Sequence, residues 1–323
     1  MKIREIRHID NNQEFYEVHW LITRRCSFSC SYCPAHRHNP KSFQANNESL
    51  LQALVKLDSI VANKNIRLNL TGGEPTIHPN FKEFISNAIK IEKVKAIRIV
   101  TNLSSNEKIY KYLASKSNEG KTKIHLVASF HWESASPERF LNNLKTLSDS
   151  NVEIQVKLML DEKGSEKISA VLTGLNELNR TCKNITIAVQ RIRNTQNLEI
   201  DLKEFEVKYF DQVNKWGDLR EFILESENSE ITHEKIPNID LIIKSKLNSF
   251  YDWTCFTGSN TLFIDNDGCV YSALCKPDNG SIGNIFDTSL ITIPQSVLCP
   301  HKLCECGSTV RIPKIKKYED LHS

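Results

Sequence analysis

Three cysteines near the start of the chain have the spacing of ligands for an iron–sulfur cluster. Cys26, Cys30 and Cys33 follow an apolar stretch in the order Cys-x3-Cys-x2-Cys. Three thiolates can hold three corners of a four-iron, four-sulfur cube and leave the fourth iron without a protein ligand. An iron with an open coordination position can bind a substrate or cofactor, as a catalytic zinc does at its open position. The spacing therefore predicts a catalytic cluster rather than a simple electron carrier.

This segment resembles the cluster motif of the radical S-adenosylmethionine (SAM) superfamily, including Tyr32 just before the third cysteine. The resemblance implies a [4Fe-4S] cluster whose open iron binds SAM, and reductive cleavage of SAM to a 5′-deoxyadenosyl radical. A zinc knuckle or a group of reduced thiols is the alternative. Zinc sites, however, usually show paired cysteines and four ligands.

Apolar, β-rich runs alternate with segments whose apolar residues recur at helical spacing. The predicted strands cover 18–23, 66–70, 97–101, 124–130, 152–160 and 185–190, and the predicted helices lie near 50–61, 81–89, 109–113, 140–147, 168–178 and 201–216. This alternation predicts an α/β fold of parallel βα units, either a doubly wound sheet or a partial barrel. The resemblance implies the partial (β/α)6 TIM-like barrel, with its chemistry at the carboxyl ends of the strands.

The second predicted strand ends in Gly-Gly-Glu-Pro at residues 72–75. Glycines let the backbone approach a ligand closely, and Glu74 offers a carboxylate to a cationic partner. The resemblance implies that Gly72, Gly73 and Glu74 bind the amino group of SAM. Taken alone, the same residues are typical of a turn at the end of a strand.

Further candidate cofactor contacts lie at the ends of the third and fourth predicted strands. Thr101 and Asn102 resemble the family's Thr-Asn-Gly step near the SAM ribose, with Leu103 in place of the glycine. Ser129 and His131 alternate onto one side of an extended chain, where the family often presents a polar residue to SAM. His131 is the one candidate catalytic side chain, for SAM binding, substrate binding or proton transfer. A structural hydrogen bond is the alternative.

The C-terminal part contains a second group of cysteines. Strands at 261–264 and 270–272 are predicted to flank an Asp-Asn-Asp-Gly turn, and this hairpin returns Cys275 towards Cys255. Four thiols are enough for a second cluster. The favoured ligands are Cys255, Cys275, Cys304 and Cys306, with Cys299 a near-equal rival to either of the last two, whereas Cys269 and Cys182 are expected to be ordinary thiols.

This arrangement resembles the SPASM/twitch extensions of radical SAM maturases, and residues 282–285 resemble their Gly-Asn step. The resemblance implies one auxiliary [4Fe-4S] cluster, because a full SPASM domain has more cysteines. Structural zinc is the alternative. The predicted domains are a radical SAM partial barrel at 14–216, a bridging segment at 217–249 and a small twitch-like domain with a β-hairpin at 250–323.

Composition excludes several classes of protein. The net charge of +3 from 42 basic and 39 acidic residues is too balanced to indicate a nucleic-acid partner. No apolar run approaches the roughly 18 residues needed to span a membrane, and the first residues lack the hydrophobic core of a signal peptide. We therefore expect a cytoplasmic protein whose ten cysteines serve metal ligation rather than disulfides.

The expected function is that of a radical SAM oxidoreductase of the maturase type that modifies a ribosomally made peptide. Oxidation or epimerisation of a small molecule, such as a sugar or aminocyclitol, is one alternative, and a non-catalytic zinc or iron–sulfur scaffold is another. About seventeen residues precede the first predicted strand, too few for a winged-helix domain that binds a leader peptide. The expected partners are a reductant such as flavodoxin or ferredoxin, the substrate, and a separate leader-binding protein.

Overall fold

The computed structural model describes residues 2–8, 15–33, 39–61, 64–182, 184–192, 220–225, 229–235, 242, 246–278, 280–304 and 307–316. The chain divides into two compact units. One consists of Trp20–Asp58 and Ile66–Asn214, and the other of Met1–His19, Ser59–Asn65 and Lys215–Ser323.

The elements alternate between strand and helix through the first two thirds of the chain. The strands are β1 (Lys2–His8), β2 (Tyr16–Thr23), β3 (Ile66–Gly72), β4 (Val94–Thr101), β5 (Lys123–Phe130), β6 (Glu153–Leu160), β7 (Ile185–Arg191), β8 (Arg220–Glu225), β9 (Ile231–Lys235), β10 (Thr254–Cys255), β11 (Thr261–Ile264), β12 (Val270–Tyr271), β13 (Val297–Leu298) and β14 (Lys314–Ile315). The helices are α1 (Asn47–Ile60), α2 (Phe81–Ala88), α3 (Glu107–Asn118), α4 (Pro137–Lys145), α5 (Ser165–Leu178), α6 (Thr257–Asn260) and α7 (Gly307–Val310).

The first unit is built on a parallel sheet. Strands β2 to β7 are hydrogen-bonded neighbours in sequence order, and each pairing from β3 to β7 is parallel. Helices α1 to α5 form the connections. The six predicted strands and the α/β fold class are confirmed. Among the described strands the sheet is open, with no pairing that closes it into a full barrel.

The sheet interior explains why these strands are almost continuously apolar. Leu126 and Val127 of β5 point to opposite faces of the sheet, and both are buried. Strands covered on both faces have this composition because neither face meets water. Trp20 of β2 packs edge-on against Phe84 of α2 with ring centroids 5.2 Å apart. The core therefore holds the strand ends, and the loops after them, in place.

The second unit contains a six-stranded sheet in the order β13-β10-β14-β1-β8-β9. Strand β1 pairs antiparallel with both β8 and β14. Strand β1 was not predicted from the sequence. The expected bridging segment at 217–249 contains β8 and β9, which form an antiparallel pair. The domain boundaries taken from the sequence stay a prediction.

The predicted hairpin is confirmed as β11 and β12, which pair antiparallel around a turn at 265–268. In the order of the eight-stranded sheet, β12-β11-β2-β3-β4-β5-β6-β7, the hairpin strands come before β2. The first four residues of β2 belong to the same unit as the hairpin. The predicted helix at 201–216 lies outside the described residues. None of the described helices has the length and apolar content that crossing a bilayer requires.

Candidate active site

The three N-terminal cysteines lie in the loop that follows β2, at the carboxyl end of the parallel strands. Cys26 and Cys30 are partly buried, and Cys33 is exposed. The backbone N–H of Cys33 donates to the carbonyl of Cys30 at 3.0 Å, which forms a turn between them. A parallel sheet presents all its strand ends at one edge, so the loops after neighbouring strands meet the cysteine loop there.

The sulfur of Cys26 receives two N–H donors. The backbone N–H of Phe28 lies 3.4 Å from it, and the side-chain amide of Asn102 lies 3.6 Å from it. Burial raises the pKa of the Cys26 thiol to about 11, and the Phe28 hydrogen bond opposes that rise. A thiol bound to a metal is deprotonated outright. These donors are therefore placed to stabilise a metal-bound thiolate.

Two glycines at the end of β3 let that strand approach the cysteine loop. The backbone N–H of Gly73 donates to the carbonyl of Thr23 at 2.8 Å. Gly72 has a φ of +142°, and a Cβ there would lie 2.0 Å from the Thr23 carbonyl oxygen. A Cβ on Gly73 would lie 2.2 Å from the carbonyl oxygen of Arg25. Only glycine permits this approach at either position.

Glu74 lies beneath these loops rather than facing them. Its side chain has no exposed surface, and its carboxylate accepts hydrogen bonds from the backbone N–H groups of Thr76 and Asn102 at 3.1 and 2.6 Å. It also accepts from the hydroxyls of Thr76 and Thr101, at 2.6 and 2.8 Å. Burial raises the pKa of Glu74, and these hydrogen bonds oppose the rise. The carboxylate thereby joins the ends of β3 and β4. That it binds a cationic ligand stays a prediction.

Asn102 connects the end of β4 to the cysteine loop. Besides Cys26, its amide nitrogen reaches the hydroxyl of Ser27 at 3.4 Å, and its amide oxygen accepts from the backbone N–H of Ser104 at 2.9 Å. The next residue, Leu103, has a φ of +54°. This left-handed conformation is free of strain only for glycine, which gives a physical reason for the glycine at this step of the resembled motif.

His131 lies directly after β5, against Tyr32 of the cysteine loop. The Tyr32 hydroxyl and His131 Nδ1 are 2.9 Å apart, and the two rings stack with centroids 5.9 Å apart. Burial lowers the pKa of His131 to about 4, and burial is also the largest cause of the raised pKa of Tyr32. The imidazole is therefore neutral at pH 7, and its Nδ1 can accept a hydrogen bond from the Tyr32 hydroxyl.

Sequence reasoning missed two residues of the same loop. The carboxylate of Glu133 accepts from the backbone N–H of Ser31 at 2.7 Å and from its hydroxyl at 2.5 Å. The Ser134 hydroxyl lies 3.8 Å from the Cys30 sulfur. Their place just past a strand end was the available signal. Ser129, by contrast, is buried within β5, and the described contacts do not bring it to the cysteine loop.

Among the described residues, no three His, Cys, Asp or Glu side chains converge on the position of a single metal ion. The chemistry of the donor set nevertheless fits an iron–sulfur cluster. Three thiols share one loop, and hydrogen-bond donors reach the sulfurs of Cys26 and Cys30. Thiolates are the ligands that such clusters use, and hydrogen bonds to sulfur tune them.

A second group of thiols lines a cavity of about 210 Å³ in the other unit. Its cysteines come from β10, from the segment after β12, and from the tail beyond β13; they are Cys255, Cys275, Cys299 and Cys304. The Cys304 sulfur lies 3.2 Å from the hydroxyl of Thr309, and the Cys299 thiol donates to the carbonyl of His301 at 3.7 Å.

These four thiols influence one another electrostatically. Burial raises the pKa of Cys255 to about 11 and raises that of Cys275 as well. Negative charge on Cys304, Cys255 and Cys299 would raise the pKa of Cys275 further. Four thiolates could share this cavity only beside compensating positive charge, which bound metal provides.

The structure separates the rival cysteines of this region. Cys299, named as an alternative ligand, stands with Cys255, Cys275 and Cys304, whereas Cys306 lies outside the described residues. Cys269, just before β12 of the hairpin, forms an isolated antiparallel β-bridge with Asn284 through the backbone. It is not among the residues that line the cavity. Cys182 is buried at the end of α5. Which four thiols act as ligands stays a prediction.

Two further residues of the cavity had not been predicted. The Nε2 atom of His301 is buried and has no hydrogen-bond partner in the described part of the chain. Lys314 is 1% exposed. His301 follows Cys299 by two residues, which was a usable signal, but nothing in the local sequence marks Lys314 as buried.

Residues 20–161 match the family model of the radical SAM superfamily. The sporulation killing factor maturation protein SkfB of Bacillus subtilis (strain 168) is 23% identical over 315 residues, which cover 90% of this chain and 68% of that protein. GTP 3′,8-cyclase of Haemophilus influenzae (strain 86-028NP) is 27% identical over 125 residues, or 38% of this chain and 36% of the cyclase. The chain thus matches about two thirds of the first relative and about a third of the second.

The solved structure of native anSMEcpe with bound AdoMet superposes with a TM-score of 0.52 at 14% identity, covering 84% of this chain and 78% of that chain. At this identity the likeness concerns the fold alone. The matched family range contains the cysteine loop, both glycines at the end of β3 and the loop after β5.

Proposed function

We propose that this chain is a radical SAM enzyme, with the radical SAM domain in the matched residues 20–161, and that it removes a hydrogen atom from a peptide substrate. The observation that carries the proposal is the contact between the cysteine loop and the glycine motif. Gly73 and Glu74 donate their backbone N–H groups to Thr23 and Arg25, each at 2.8 Å, which holds the end of β3 directly against the loop bearing the thiols.

Cys26, Cys30 and Cys33 would hold a [4Fe-4S] cluster at this site. With SAM bound, the cluster would pass on one electron from the reductant to break a carbon–sulfur bond of SAM, giving methionine and the 5′-deoxyadenosyl radical, and this radical would take a hydrogen atom from an unreactive carbon. The backbone of Gly72 and Gly73 and the side chain of Asn102 would contact SAM. Ser129, Thr101 and Glu74 would support that surface from buried positions.

The loop after β5 would close over the cysteine segment. Glu133 fixes Ser31 by two hydrogen bonds, and His131 holds the Tyr32 ring by stacking and by a hydrogen bond. Both contacts restrict the backbone between Cys30 and Cys33, and the His131 ring covers one face of the Tyr32 ring. A radical reaction needs a site protected from solvent, and this partly buried pair of rings would contribute to it.

We assign a second, auxiliary [4Fe-4S] cluster to Cys255, Cys275, Cys299 and Cys304. The support is the cavity of about 210 Å³ that all four thiols line. Four cysteine ligands would leave no open iron, so the centre would pass electrons rather than bind substrate. A flavodoxin- or ferredoxin-type reductant would supply the electrons.

The peptide substrate is proposed because the relative matching 90% of this chain is named as a maturation protein for a killing factor. A second solved structure of anSMEcpe, with AdoMet and the Cp18Cys peptide, shares the fold with a TM-score of 0.50. The match to GTP 3′,8-cyclase covers only 38% of this chain, so it supports the shared domain chemistry more than a nucleotide substrate. A separate leader-binding protein would present the peptide.

Anaerobic reconstitution followed by iron analysis and a dithionite assay for 5′-deoxyadenosine tests this function. Two clusters predict about eight irons per chain, and replacing Cys26, Cys30 and Cys33 by alanine should leave about four. That triple variant should form no 5′-deoxyadenosine. Colourless wild-type protein that holds zinc, or a brown protein that never cleaves SAM, would contradict the proposal and favour a non-catalytic scaffold.

A matched pair of serine variants tests the second centre. Cys299→Ser should lose about four irons because a corner of the auxiliary cluster goes unligated, whereas Cys269→Ser should keep them all. Equal iron in both variants would exclude Cys299 as a ligand. The substrate class is tested by mass spectrometry of candidate peptides and small molecules incubated with enzyme, SAM and reductant.

A further inference from the structure

Lys314 is a buried cation in the wall of the four-cysteine cavity. It lies in β14 with 1% of its surface exposed, and it is the one lysine or arginine classed as buried among the side chains that the structure describes. Burying a charge is costly unless the charge is paired. Lys314 therefore needs a physical explanation.

Among the described residues, the groups that contact its ammonium are neutral. The Nζ atom donates to the carbonyls of Thr309, Val310 and Ile312 at 3.0, 2.9 and 2.7 Å. It also lies 4.8 Å from the centre of the Phe250 ring. Among the described residues no carboxylate forms an ion pair with it. Within the described part of the chain, its hydrogen bonds are satisfied by carbonyl groups and its charge faces an aromatic ring rather than an anion.

The negative charge that it lacks would come from the thiolates of the cavity. Lys314 is the direct ladder partner of Cys255 where β10 pairs with β14. It also lines the same cavity as Cys275, Cys299 and Cys304. A [4Fe-4S] cluster held by four cysteine thiolates is an anion in both states of its 2+/1+ couple, and its negative charge increases on reduction.

We propose that Lys314 is the built-in counter-charge of the auxiliary centre, which makes its cluster easier to reduce and slower to dissociate. This inference rests on the auxiliary cluster of the proposed function. Lys314 acts as a positioning and tuning residue, because its ammonium points to backbone carbonyls and contributes to the centre through its field. A fixed cation in a dry site interacts more strongly than one in water.

The test compares neutral variants of Lys314 with Lys302→Met. Lys302 is an exposed lysine between Cys299 and Cys304, so its replacement removes the same charge from a solvent-screened position. Lys314→Met removes both the charge and the donors, whereas Lys314→Gln removes the charge and keeps donors for the carbonyls. All variants are made in the full chain, with Cys26, Cys30 and Cys33 replaced by alanine so that only the auxiliary cluster is observed.

The readout is an anaerobic reductive titration followed by electron paramagnetic resonance. Both Lys314 variants should lower the equilibrium constant for one-electron reduction at least tenfold, which is 59 mV towards negative potential. Lys302→Met should change it less than twofold. A faster rate of cluster release from folded Lys314→Met than from Lys302→Met also supports the proposal. If Lys314→Met does not fold, the reduction potential is measured on Lys314→Gln instead.

Two results overturn the inference. The first result is an unchanged reduction potential in both Lys314 variants. The second is a lowered potential in Lys314→Met that returns to the wild-type value in Lys314→Gln. Either would show that the lysine only caps the turn at 309–312. A wild-type chain that binds no second cluster would instead refute the auxiliary centre itself. Iron analysis of the background protein, before any titration, separates that failure from the first two.

Discussion

Replacing Glu74 distinguishes a supporting residue from one that touches SAM. Its buried carboxylate accepts from two backbone N–H groups, those of Thr76 and Asn102, and from two hydroxyls. In Glu74→Ala the hydroxyls can rotate to other oxygens, but the two N–H groups lose their acceptor. Each buried donor left unpaired costs about 1–3 kcal/mol, so the variant should lose about 2–6 kcal/mol. Such a loss is a large part of the total stability of a domain.

Glu74→Gln should cost less, because one carboxylate oxygen is retained. Its new NH2 group would face the N–H of Asn102, which otherwise donates to Oε2, so a single donor is left unpaired at about 1–3 kcal/mol. Burial raises the pKa of Glu74 above the ordinary 4.5. The wild-type side chain is therefore most stabilising below that value, and its contribution declines as pH rises through the raised pKa. Glutamine does not titrate, so the advantage of the wild type should shrink with rising pH.

The assay is urea unfolding of the metal-free protein at several pH values, followed by SAM binding to the reconstituted enzyme. Glu177→Gln, at an exposed position in α5, is the matched control and should unfold with the wild type. If Glu74→Ala unfolds at the wild-type urea concentration yet no longer binds SAM, the carboxylate contacts the ligand and the supporting role is wrong.

Two further substitutions test the cysteine loop. Gly73→Ala places a Cβ 2.2 Å from the Arg25 carbonyl oxygen and should lose most of the N-terminal cluster iron. Gly120→Ala adds backbone strain at a φ of +76°, but its Cβ meets no atom within 4 Å beyond its chain neighbours, so it should keep the iron. Equal iron in both variants would refute the close approach. Glu133→Gln weakens the hydrogen bonds to Ser31 and should speed iron release about 2- to 10-fold. Since those bonds lower the pKa of Glu133, their stabilisation is present above the ordinary 4.5 and is lost as pH falls through the lowered value. Wild-type iron release should therefore accelerate in acid, and a glutamine variant with the same acid profile would contradict this role.

The parallel strands and the cysteine loop could be predicted because their signals are local. Near-continuous apolar runs such as 124–130 occur where helices cover both faces of a sheet, and helical spacing between them implies parallel connections. The three N-terminal thiols lie within eight residues of chain, so their grouping needs no long-range contact. The glycine pair was also readable, because glycine at a strand end indicates close backbone approach.

Residues that meet across long stretches of sequence could not be assigned in this way. The carboxylate of Glu74 turns inward because donors from β4, 27 and 28 residues later, satisfy it there. Strand β1 pairs with β14 from the opposite end of the chain, and no local pattern reveals that partner. Cys299 and Lys314 join Cys255 because β10 lies between β13 and β14. Spacing along the chain identifies candidate ligands. Which of them line the same cavity, how deeply they are buried and which charged side chain lies beside them depend on which strands pair. Those pairings form only when distant segments of the chain pack together.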